Sequence, residues 1–506
     1  MIKNALSIIN SQLSIVLWWR LLEFLSLKRV ILSILRVQQL IEISNKKAAI
    51  NKSIHIPNFG TLFKNEYSKI NAEGQWVFNG KVIELDEAFI YGRINKDDYT
   101  DQMVFLYLDW AFNLEDDPDF FENMLANISL SESHWHPLPS SIRVYPLLFN
   151  WSLNKSDFIV NHLKESAQFL LINTEEHVGG NHLLDNYIAM LIYSIVLGLN
   201  SNIQLFSKKV ILNLSTYKKL GHFPEKNPVY EELLYKRLFF LQKIVHLNKD
   251  IIPLKRCVLE RLESLLGKCE EIFLNHPSAP INDSYLEYCS RKDSVKRYVK
   301  NYFFESSFHG VKTTFVFNSI PSRGFMGHAH DACGSLFVEA DKKQIITSFG
   351  TSKYANSLKR NVSRSIQSYP TFNYTNPLCH MSYNGSFRVV RFSYPKVIHD
   401  IDSGWYRFSQ KSIGISSKVR KFDVRFFDAK ILVSSLGEDM VFSFYSDFKW
   451  SYNEKKLECE YMSIHPVKSY SIKKTFRFNG IYNQTRCYKC KVVFNGLLSI
   501  EIKGMG

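Results

Sequence analysis

Apolar residues in the first 300 positions of the chain recur at helical spacing. Between residues 181 and 199 they fall three or four positions apart, and residues 228–247 repeat the pattern. This is the period of one face of an α-helix. Asn227 followed by Pro228 predicts a helix start, with a cap residue and then proline at the first helical position. A third helix is predicted over residues 254–273.

After about residue 310 the pattern changes to the alternation that is typical of strands. It occurs over residues 311–317, 388–394, 421–427 and 441–447, and a turn-rich stretch at 276–284 precedes it. Helices followed by strands indicate segregated layers or separate domains. We therefore predict an α+β multidomain fold, with a helical domain over residues 1–300 and a β-sandwich domain over residues 301–506.

Composition limits the class of protein and of partner. The chain has 506 residues, of which 45% are hydrophobic and 22% charged. These are values of a globular protein and exclude a disordered chain. The formal net charge of +15 favours an anionic partner, such as nucleic acid, a membrane surface or an acidic polymer. Because no zinc-finger, helix-turn-helix or RNA-binding aromatic motif occurs, we expect no nucleic-acid partner.

The N-terminal residues 5–41 are apolar and basic. Charged residues interrupt them before a membrane span accumulates: Arg20, Glu23, Lys28 and Arg29. No cleavage site of signal-peptide form follows, which favours a cytoplasmic or membrane-peripheral location. The segment is either a buried or amphipathic helix, or a helix in peripheral contact with an anionic membrane surface, with Trp18 and Trp19 as anchors.

The eight cysteines are too sparse for a disulfide scaffold. Cys487 and Cys490 form the one C-x-x-C pair, and no second ligand pair follows at zinc-site spacing. We expect free thiols near a hairpin here.

Three polar clusters are candidates for chemistry. Asn181 and His182 follow two glycines at a helix start, where they either cap the helix or bind an anion with its amides. Tyr230 lies in the first turn of the 228–247 helix, as a packing residue or as a phenol whose ionised form the helix dipole would favour. His328 and His330 form an H-x-H pair, which on a strand places both imidazoles on one face. That is a metal or acid–base arrangement unless the pair arises by chance.

Five segments containing these clusters occur in a fixed order between about residues 100 and 375. They are W-H-P-L-P-S-S-I-R at 135–143, N-H-L-L-D-N at 181–186, G-H-F-P-E-K-N-P-V-Y at 221–230, G-H-A-H-D-A-C-G-S at 327–335, and G-T-S-K-Y at 350–354 with R-S at 364–365. Each is weak alone. In this order they resemble the heparinase II/III-type polysaccharide lyases, although Glu231 stands where that family usually has His. The resemblance implies an N-terminal (α/α) toroid of helical hairpins followed by an antiparallel β-sandwich.

The resemblance also implies an activity. Lyases of this kind cleave a uronate-containing polysaccharide by β-elimination, in which the proton α to the carboxylate is removed although its pKa is high, and the departing glycosidic oxygen is protonated. Asn181 and His182 would bind and neutralise the carboxylate. Tyr230 would be the general acid, or both base and acid when proton and leaving group share a face. His328 would be the base on the opposite face.

Arginines in or beside the matched segments are expected to contact the acidic substrate: Arg143, Arg323, Arg360 and Arg364. The alternative for each is a surface salt bridge.

The positions that carry a structural metal in related enzymes differ here. His330 is retained, but the other two ligand positions hold Ser348 and Tyr369, and Ala332 stands at an acidic position of the motif. A neutral hydroxyl is a poor zinc ligand. We expect no metal and no other cofactor, with His330 instead hydrogen-bonding a neighbour in support of His328.

Two functions follow as hypotheses. The first is a lyase acting on an acidic polysaccharide, with a link to bacterial surface polysaccharide. The second is a non-catalytic or drifted protein on the same fold that binds glycan or assists its assembly. The altered metal positions favour the second, and the order of the motifs favours the first.

Overall fold

A computed structural model describes most of the chain between residues 18 and 503. The residues in that range that lie outside the description are 20, 48, 65–67, 79, 87–98, 115–116, 131, 221–222, 224, 270–296, 301, 321–329, 342, 351–363, 375–380, 384–388, 401–402, 414–417, 436–438 and 479–483.

The chain forms two compact units. The first contains Met1–Pro224, Glu232–Leu274 and Arg323–Phe325, and the second contains Glu225–Glu231, Asn275–Ser322 and Met326–Gly506. The short segment Glu225–Glu231, which contains Tyr230, therefore belongs to the second unit. The helix Pro228–Leu247 begins in this segment, and the rest of the helix belongs to the first unit.

The first unit is built mainly from helices. They are α1 Lys28–Leu35, α2 Val37–Asn45, α3 Gly60–Phe63, α4 Tyr99–Phe105, α5 Pro118–Ile128, α6 Pro137–Ile142, α7 Val144–Asn154, α8 Asp157–Asn173, α9 Gly180–Leu197, α10 Asn200–Leu220, α11 Pro228–Leu247 and α12 Arg256–Leu266, with 3₁₀ turns at Asp109–Asn113 and Glu132–Trp135. α11 has the predicted bounds, α9 begins one residue early, and α12 is shorter than the predicted helix.

Helix α9 is the most deeply buried element of this unit. Beyond Asn186 its sequence is almost entirely apolar, and almost all side chains of the helix are buried, as expected of a central helix. It ends at Gly198, whose φ of 67° is the left-handed conformation of a helix C-cap. The helix therefore fixes the position of the polar residues at its own N-terminus.

A small antiparallel sheet also lies in the first unit, where the sequence analysis expected helices. Its strands are β1 Ser68–Ile70, β2 Trp76–Phe78 and β3 Lys81–Ile83. Trp76 is fully buried, and its indole Nε1 donates to Ser68 Oγ at 3.0 Å.

The second unit consists of antiparallel strands. They are β4 Arg297–Lys300, β5 Phe303–Phe308, β6 Val311–Val316, β7 Ser335–Ala340, β8 Lys343–Ile346, β9 Phe372–Tyr374, β10 Met381–Tyr383, β11 Val389–Phe392, β12 Lys396–Asp400, β13 Trp405–Lys411, β14 Val419–Phe426, β15 Lys430–Ser435, β16 Met440–Ser446, β17 Ser451–Asn453, β18 Lys456–Glu458, β19 Met462–His465, β20 Ser469–Phe478, β21 Gln484–Phe494 and β22 Leu497–Ile502. In the part of this unit that the structure describes beyond residue 297, the strands and loops are interrupted by one 3₁₀ turn, Ile366–Ser368, and by the single helical residue Arg364.

These strands form four sheets. The orders are β4-β5-β6-β7-β8, β20-β21-β16-β9, β10-β11 and β12-β13-β14-β15-β22-β19-β18-β17. Their inward side chains form a large apolar core, including Phe315, Phe372, Phe422 and Phe442, and a smaller cluster that includes Phe303 and Phe337. The predicted strands at 311–317, 388–394, 421–427 and 441–447 are all present.

Three further sequence expectations are addressed by the fold. The chain combines helices with antiparallel sheets, as predicted. Cys487 and Cys490 are buried free thiols on β21, one strand of the β20–β21 hairpin. Across the described residues, no helix is both long enough and apolar enough to cross a membrane.

Candidate active site

The N-terminus of α9 presents the first group of predicted site residues. Gly179 and Gly180 have φ angles of 71° and 59°, which residues with a Cβ rarely adopt. The chain can therefore turn sharply into the helix and place Asn181, which is buried, and His182, which is partly exposed, in its first turn. Backbone amides at such a terminus favour a bound anion.

A buried glutamate orients His182. Glu175 Oε1 lies 3.0 Å from His182 Nδ1, and because a carboxylate only accepts hydrogen bonds, this contact requires a proton on Nδ1. Burial alone would raise the pKa of the Glu175 carboxyl, but the charge and hydrogen bond of His182, with the charges of His136 and His177, lower it below its usual value. The pair is thus an imidazole held by an ionised carboxylate.

Asn186 joins this pair to the segment at 135–143. Its Oδ1 accepts from the Glu175 backbone N–H at 2.6 Å, and its Nδ2 donates to Ser141 Oγ at 2.8 Å. About two turns further along α9, Tyr193 OH donates to the carbonyl of Ser140 at 2.7 Å. Two of the five matched segments are therefore in direct contact.

The loop that carries Glu175 is fixed by a second buried pair. Arg36 donates to Thr174 Oγ1 at 2.8 Å and to Glu176 Oε1 at 2.5 Å. Sequence analysis missed both glutamates. The available signal was two adjacent carboxylates directly before the Gly179-Gly180 turn.

Arg143 is fully buried, which differs from the substrate contact expected of it. Its guanidinium donates to the His134 carbonyl and to Ser140 Oγ, each at 2.5 Å, and lies 2.7 Å from His134 Nδ1. Burial lowers the pKa of Arg143 to about 10 and, together with the Arg143 charge, holds the pKa of His134 well below its usual value. Its contacts make Arg143 a residue that holds the 132–143 segment together.

A further buried network lies beside α9. Asp185 forms an ion pair with Arg237 of α11. Burial raises the pKa of Asp185 and raises that of nearby Asp109 to about 6, with the Arg237 charge opposing both shifts. Sequence analysis did not identify these residues, although a carboxylate inside the apolar α9 helix was a visible signal.

Tyr230 is the third residue of α11 and is partly buried. The residues before it form a tight turn in which Lys226 has a φ of 50°. Lys226 is buried, its Nζ donates to the Asn318 carbonyl at 3.2 Å, and the ammonium lies 5.4 Å from the centre of the Tyr302 ring. Burial lowers the pKa of Lys226 to about 8, against the opposing charges of Cys333 and Glu231. Lys226 is a second titratable group in this segment that sequence analysis did not single out.

His330 is buried in the second unit and precedes β7 rather than lying within it. Its Nδ1 lies 2.5 Å from Tyr369 OH, so two of the three positions that the motif resemblance compares with metal ligands hydrogen-bond each other. The third, Ser348, is adjacent in the fold, because the Phe349 N–H donates to the Ser368 carbonyl at 2.7 Å.

This set does not fit a zinc ion. It offers one imidazole already bound to a phenol, together with a neutral serine hydroxyl, where zinc sites use cysteine, histidine and carboxylate. Within the described ranges, no group of three or more His, Cys, Asp and Glu side chains is placed to hold a metal.

The remaining predicted residues have different outcomes. Arg364, a predicted substrate contact, is fully buried, and its carbonyl accepts from the Asp331 N–H at 2.9 Å. His328, Arg323 and Arg360 lie outside the described residues.

Comparison with known proteins gives fold relatives alone. No protein-family model matches the sequence, and no curated protein is a significant match. Among solved structures, the fold is similar to a heparinase III, with a TM-score of 0.58 and 11% identity over 97% of this chain and 92% of that one. A second structure, described as a heparinase III gene product, gives a TM-score of 0.54 and 13% identity, covering 96% of this chain and 90% of that one. A mutant of the heparan sulfate lyase HepC from Pedobacter heparinus gives a TM-score of 0.50 and 14% identity, covering 95% of this chain and 89% of that one. The chain therefore has the fold of polysaccharide lyases.

Proposed function

We propose that this protein is a polysaccharide lyase that cleaves an acidic, uronate-containing polysaccharide by β-elimination. The observation that carries the proposal is the His182–Glu175 pair at the N-terminus of α9, joined through Asn186 to Ser141. It places an amide, an imidazole and helix amides where an anion is favoured. The similarity of fold to known lyases supports the same class of function. As part of this proposal, the two units form the toroid and the sandwich of that fold.

The chemistry begins with the substrate carboxylate. Asn181 and His182 would donate to its oxygens, which lowers the cost of removing the neighbouring C5 proton. Glu175 would hold the protonated Nδ1, so that the imidazole can carry positive charge opposite the substrate.

The elimination itself needs a base and an acid. The C5–H and C4–O bonds break. The electron pair of the C5–H bond forms the C4–C5 double bond, and the pair of the C4–O bond leaves with the glycosidic oxygen. Tyr230 would protonate the departing oxygen, and either Tyr230 or His328 would accept the C5 proton. Arg143 and Arg364 would position neighbouring segments, and Arg323 and Arg360 remain proposed substrate contacts.

The test compares two tyrosines of α11. Tyr230→Phe should lower the cleavage rate by about 10²- to 10⁴-fold, the size of a general acid–base contribution. Tyr235→Phe, on the same helix and also partly exposed, should leave cleavage unchanged. Equal rates for the two variants would contradict the assignment of Tyr230.

The second candidate function is glycan binding or assembly without cleavage. It is favoured by the replacement of the metal set with the His330–Tyr369 hydrogen bond. Saturable binding of an acidic polysaccharide with no unsaturated product would support it over the lyase. The proposed link to bacterial surface polysaccharide applies to either function.

Peripheral membrane contact through the N-terminal segment is also a proposal. Trp18, Phe24 and Ile34 are 56%, 84% and 68% exposed, and apolar side chains at this exposure beside basic residues suit an anionic lipid surface. Flotation with anionic vesicles should carry the protein upward, and Phe24→Ser with Ile34→Ser should abolish the effect. Flotation that is unaffected by these two substitutions would contradict membrane contact through the N-terminal segment.

A further inference from the structure

A basic cavity lies on the outer face of the β20-β21-β16-β9 sheet, within the second unit. Its volume is about 380 Å³, in the range of ligand-binding pockets. Val441, Asn373 and Thr371 lie at its buried base, and Ser443 and Ser471 add hydroxyl groups. None of the candidate site residues described above lines it.

The strand register gathers three lysines at this cavity. Lys473 of β20 pairs directly with Lys489 of β21, and Lys491 lies two residues further on the same face. Like charges placed opposite each other on a sheet are destabilising. The sequence therefore maintains a cluster of charge that folding alone does not favour.

Among the described residues, none that lines the cavity is acidic and could offset this charge. Across the part of the chain that the structure describes, none of the three ammonium groups forms an ion pair. The Lys489 ammonium lies 5.1 Å from the centre of the Tyr445 ring. Burial, followed by the charges of Lys473 and Lys491, lowers the pKa of Lys489, so a bound anion would relieve a repulsion that already exists.

The wall of the cavity is fixed on one side by Tyr374. Its hydroxyl donates to the Val419 carbonyl at 2.9 Å, which holds the ring against the 8-stranded sheet. The lining also supplies hydroxyl and amide groups, from Thr371, Ser443, Ser471, Gln367 and Asn373. This mixture complements a ligand that carries both anionic groups and neutral hydroxyl groups.

We propose that this cavity binds one or two sugar units of an acidic polysaccharide through their carboxylate or sulfate groups, as a glycan site separate from the candidate active site. The proposal rests on the acidic-polysaccharide part of the proposed function and not on cleavage. The limited size of the cavity and its neutral polar lining favour a sugar over nucleic acid, which uses longer basic tracks with stacked aromatic residues.

Lysine acetylation footprinting on the full chain tests the proposal. The probes are a polyuronate hexasaccharide, a sulfated glycosaminoglycan hexasaccharide, inorganic phosphate and a single-stranded oligonucleotide of equal charge. At least one hexasaccharide should slow acetylation of Lys473, Lys489 and Lys491 by about tenfold or more, since one charge-assisted contact is worth about that factor. Lys396, Lys418 and Lys421, exposed lysines of the same unit, should be unaffected.

The variants give a second measure. Hexasaccharide binding should weaken in the triple variant Lys473→Gln, Lys489→Gln and Lys491→Gln. It should be retained in the charge-conserving variant Lys473→Arg, Lys489→Arg and Lys491→Arg. It should also be retained in the control variant Lys396→Gln, Lys418→Gln and Lys421→Gln. Absent protection, equal protection of the control lysines, or stronger protection by phosphate or the oligonucleotide would overturn the proposal. Protection of the three lysines without any unsaturated product would support this glycan site and contradict the lyase proposal. Cleavage of the polysaccharide without protection of the three lysines would support the lyase proposal and contradict this site.

Discussion

At the residue scale, Glu175 is the group on which the geometry of His182 depends. Glu175→Gln keeps the shape but places an amide where Asn186 and His182 both donate. The variant should lose about 1–3 kcal/mol of stability at neutral pH, the cost of an unsatisfied buried group. Glu165→Gln, which alters a mostly exposed partner of His162, should have little effect.

The pH dependence of this loss follows from the lowered pKa of Glu175. A carboxyl whose pKa is lower in the folded state stabilises the fold at pH values above its unfolded pKa, and this contribution is lost as the pH falls through the folded pKa. Wild type and Glu175→Gln should therefore converge in acid. Urea unfolding at several pH values measures the free energy of unfolding of the two proteins. A difference between them that persists or grows in acid would contradict the ionised His182–Glu175 pair.

Tyr369 belongs to the same scale. Tyr369→Phe removes the partner of the fully buried His330 Nδ1 and should cost about 1–3 kcal/mol. The half-exposed Tyr470, changed to Phe, is the control. Denaturant unfolding reports the difference between the two variants.

The same pair predicts the metal content of the protein. Protein purified without chelator should hold no stoichiometric zinc, and His330→Ala should leave its metal content unchanged. Near-stoichiometric zinc that is lost with His330→Ala would show that the His330–Tyr369 bond is not the native use of these positions.

At the scale of elements, Arg420 links parts of the second unit. From β14 it donates to the carbonyls of Cys333 at 2.8 Å and Phe372 at 3.2 Å, and to Gln410 Oε1 at 2.8 Å. Arg420→Met should leave three buried acceptors without this donor and lower stability by about 2–5 kcal/mol. Arg407→Met, an exposed arginine paired with Asp423 on neighbouring strands, should change the unfolding midpoint little. Equal midpoints for the two variants would contradict the linking role.

Elements were predictable where the signal is local. The apolar period of α9 and α11 and the alternation of β6, β14 and β16 each follow from a dozen residues. The three-stranded sheet at 68–83 also had a local signal, since Asn79-Gly80 between the short segments Trp76–Phe78 and Lys81–Ile83, both rich in apolar residues, is typical of a hairpin turn. The predominantly helical pattern of the first 300 residues nevertheless favoured a helical prediction for this segment.

At the scale of the whole molecule, sequence could not supply the contacts between distant segments. Asn186 was visible in a motif, but its bonds to Glu175 and Ser141 depend on how α9 packs. Arg143 lies in a matched segment, and only its burial distinguishes a structural guanidinium from a substrate contact. The pairing of Lys473 with Lys489 likewise depends on strand register, because a one-residue slip would move one of them to the other face.

The convergence of Asn181, His182, Tyr230 and His328 in one cleft remains a prediction, and the most direct measurement of its consequence is enzymatic. The protein is incubated with a panel of acidic polysaccharides while the ultraviolet absorbance of the C4–C5 double bond is followed. The lyase account predicts a rise with at least one uronate polymer, abolished by Tyr230→Phe and retained by Tyr235→Phe. Binding of these polymers with no rise in absorbance for any of them would contradict it.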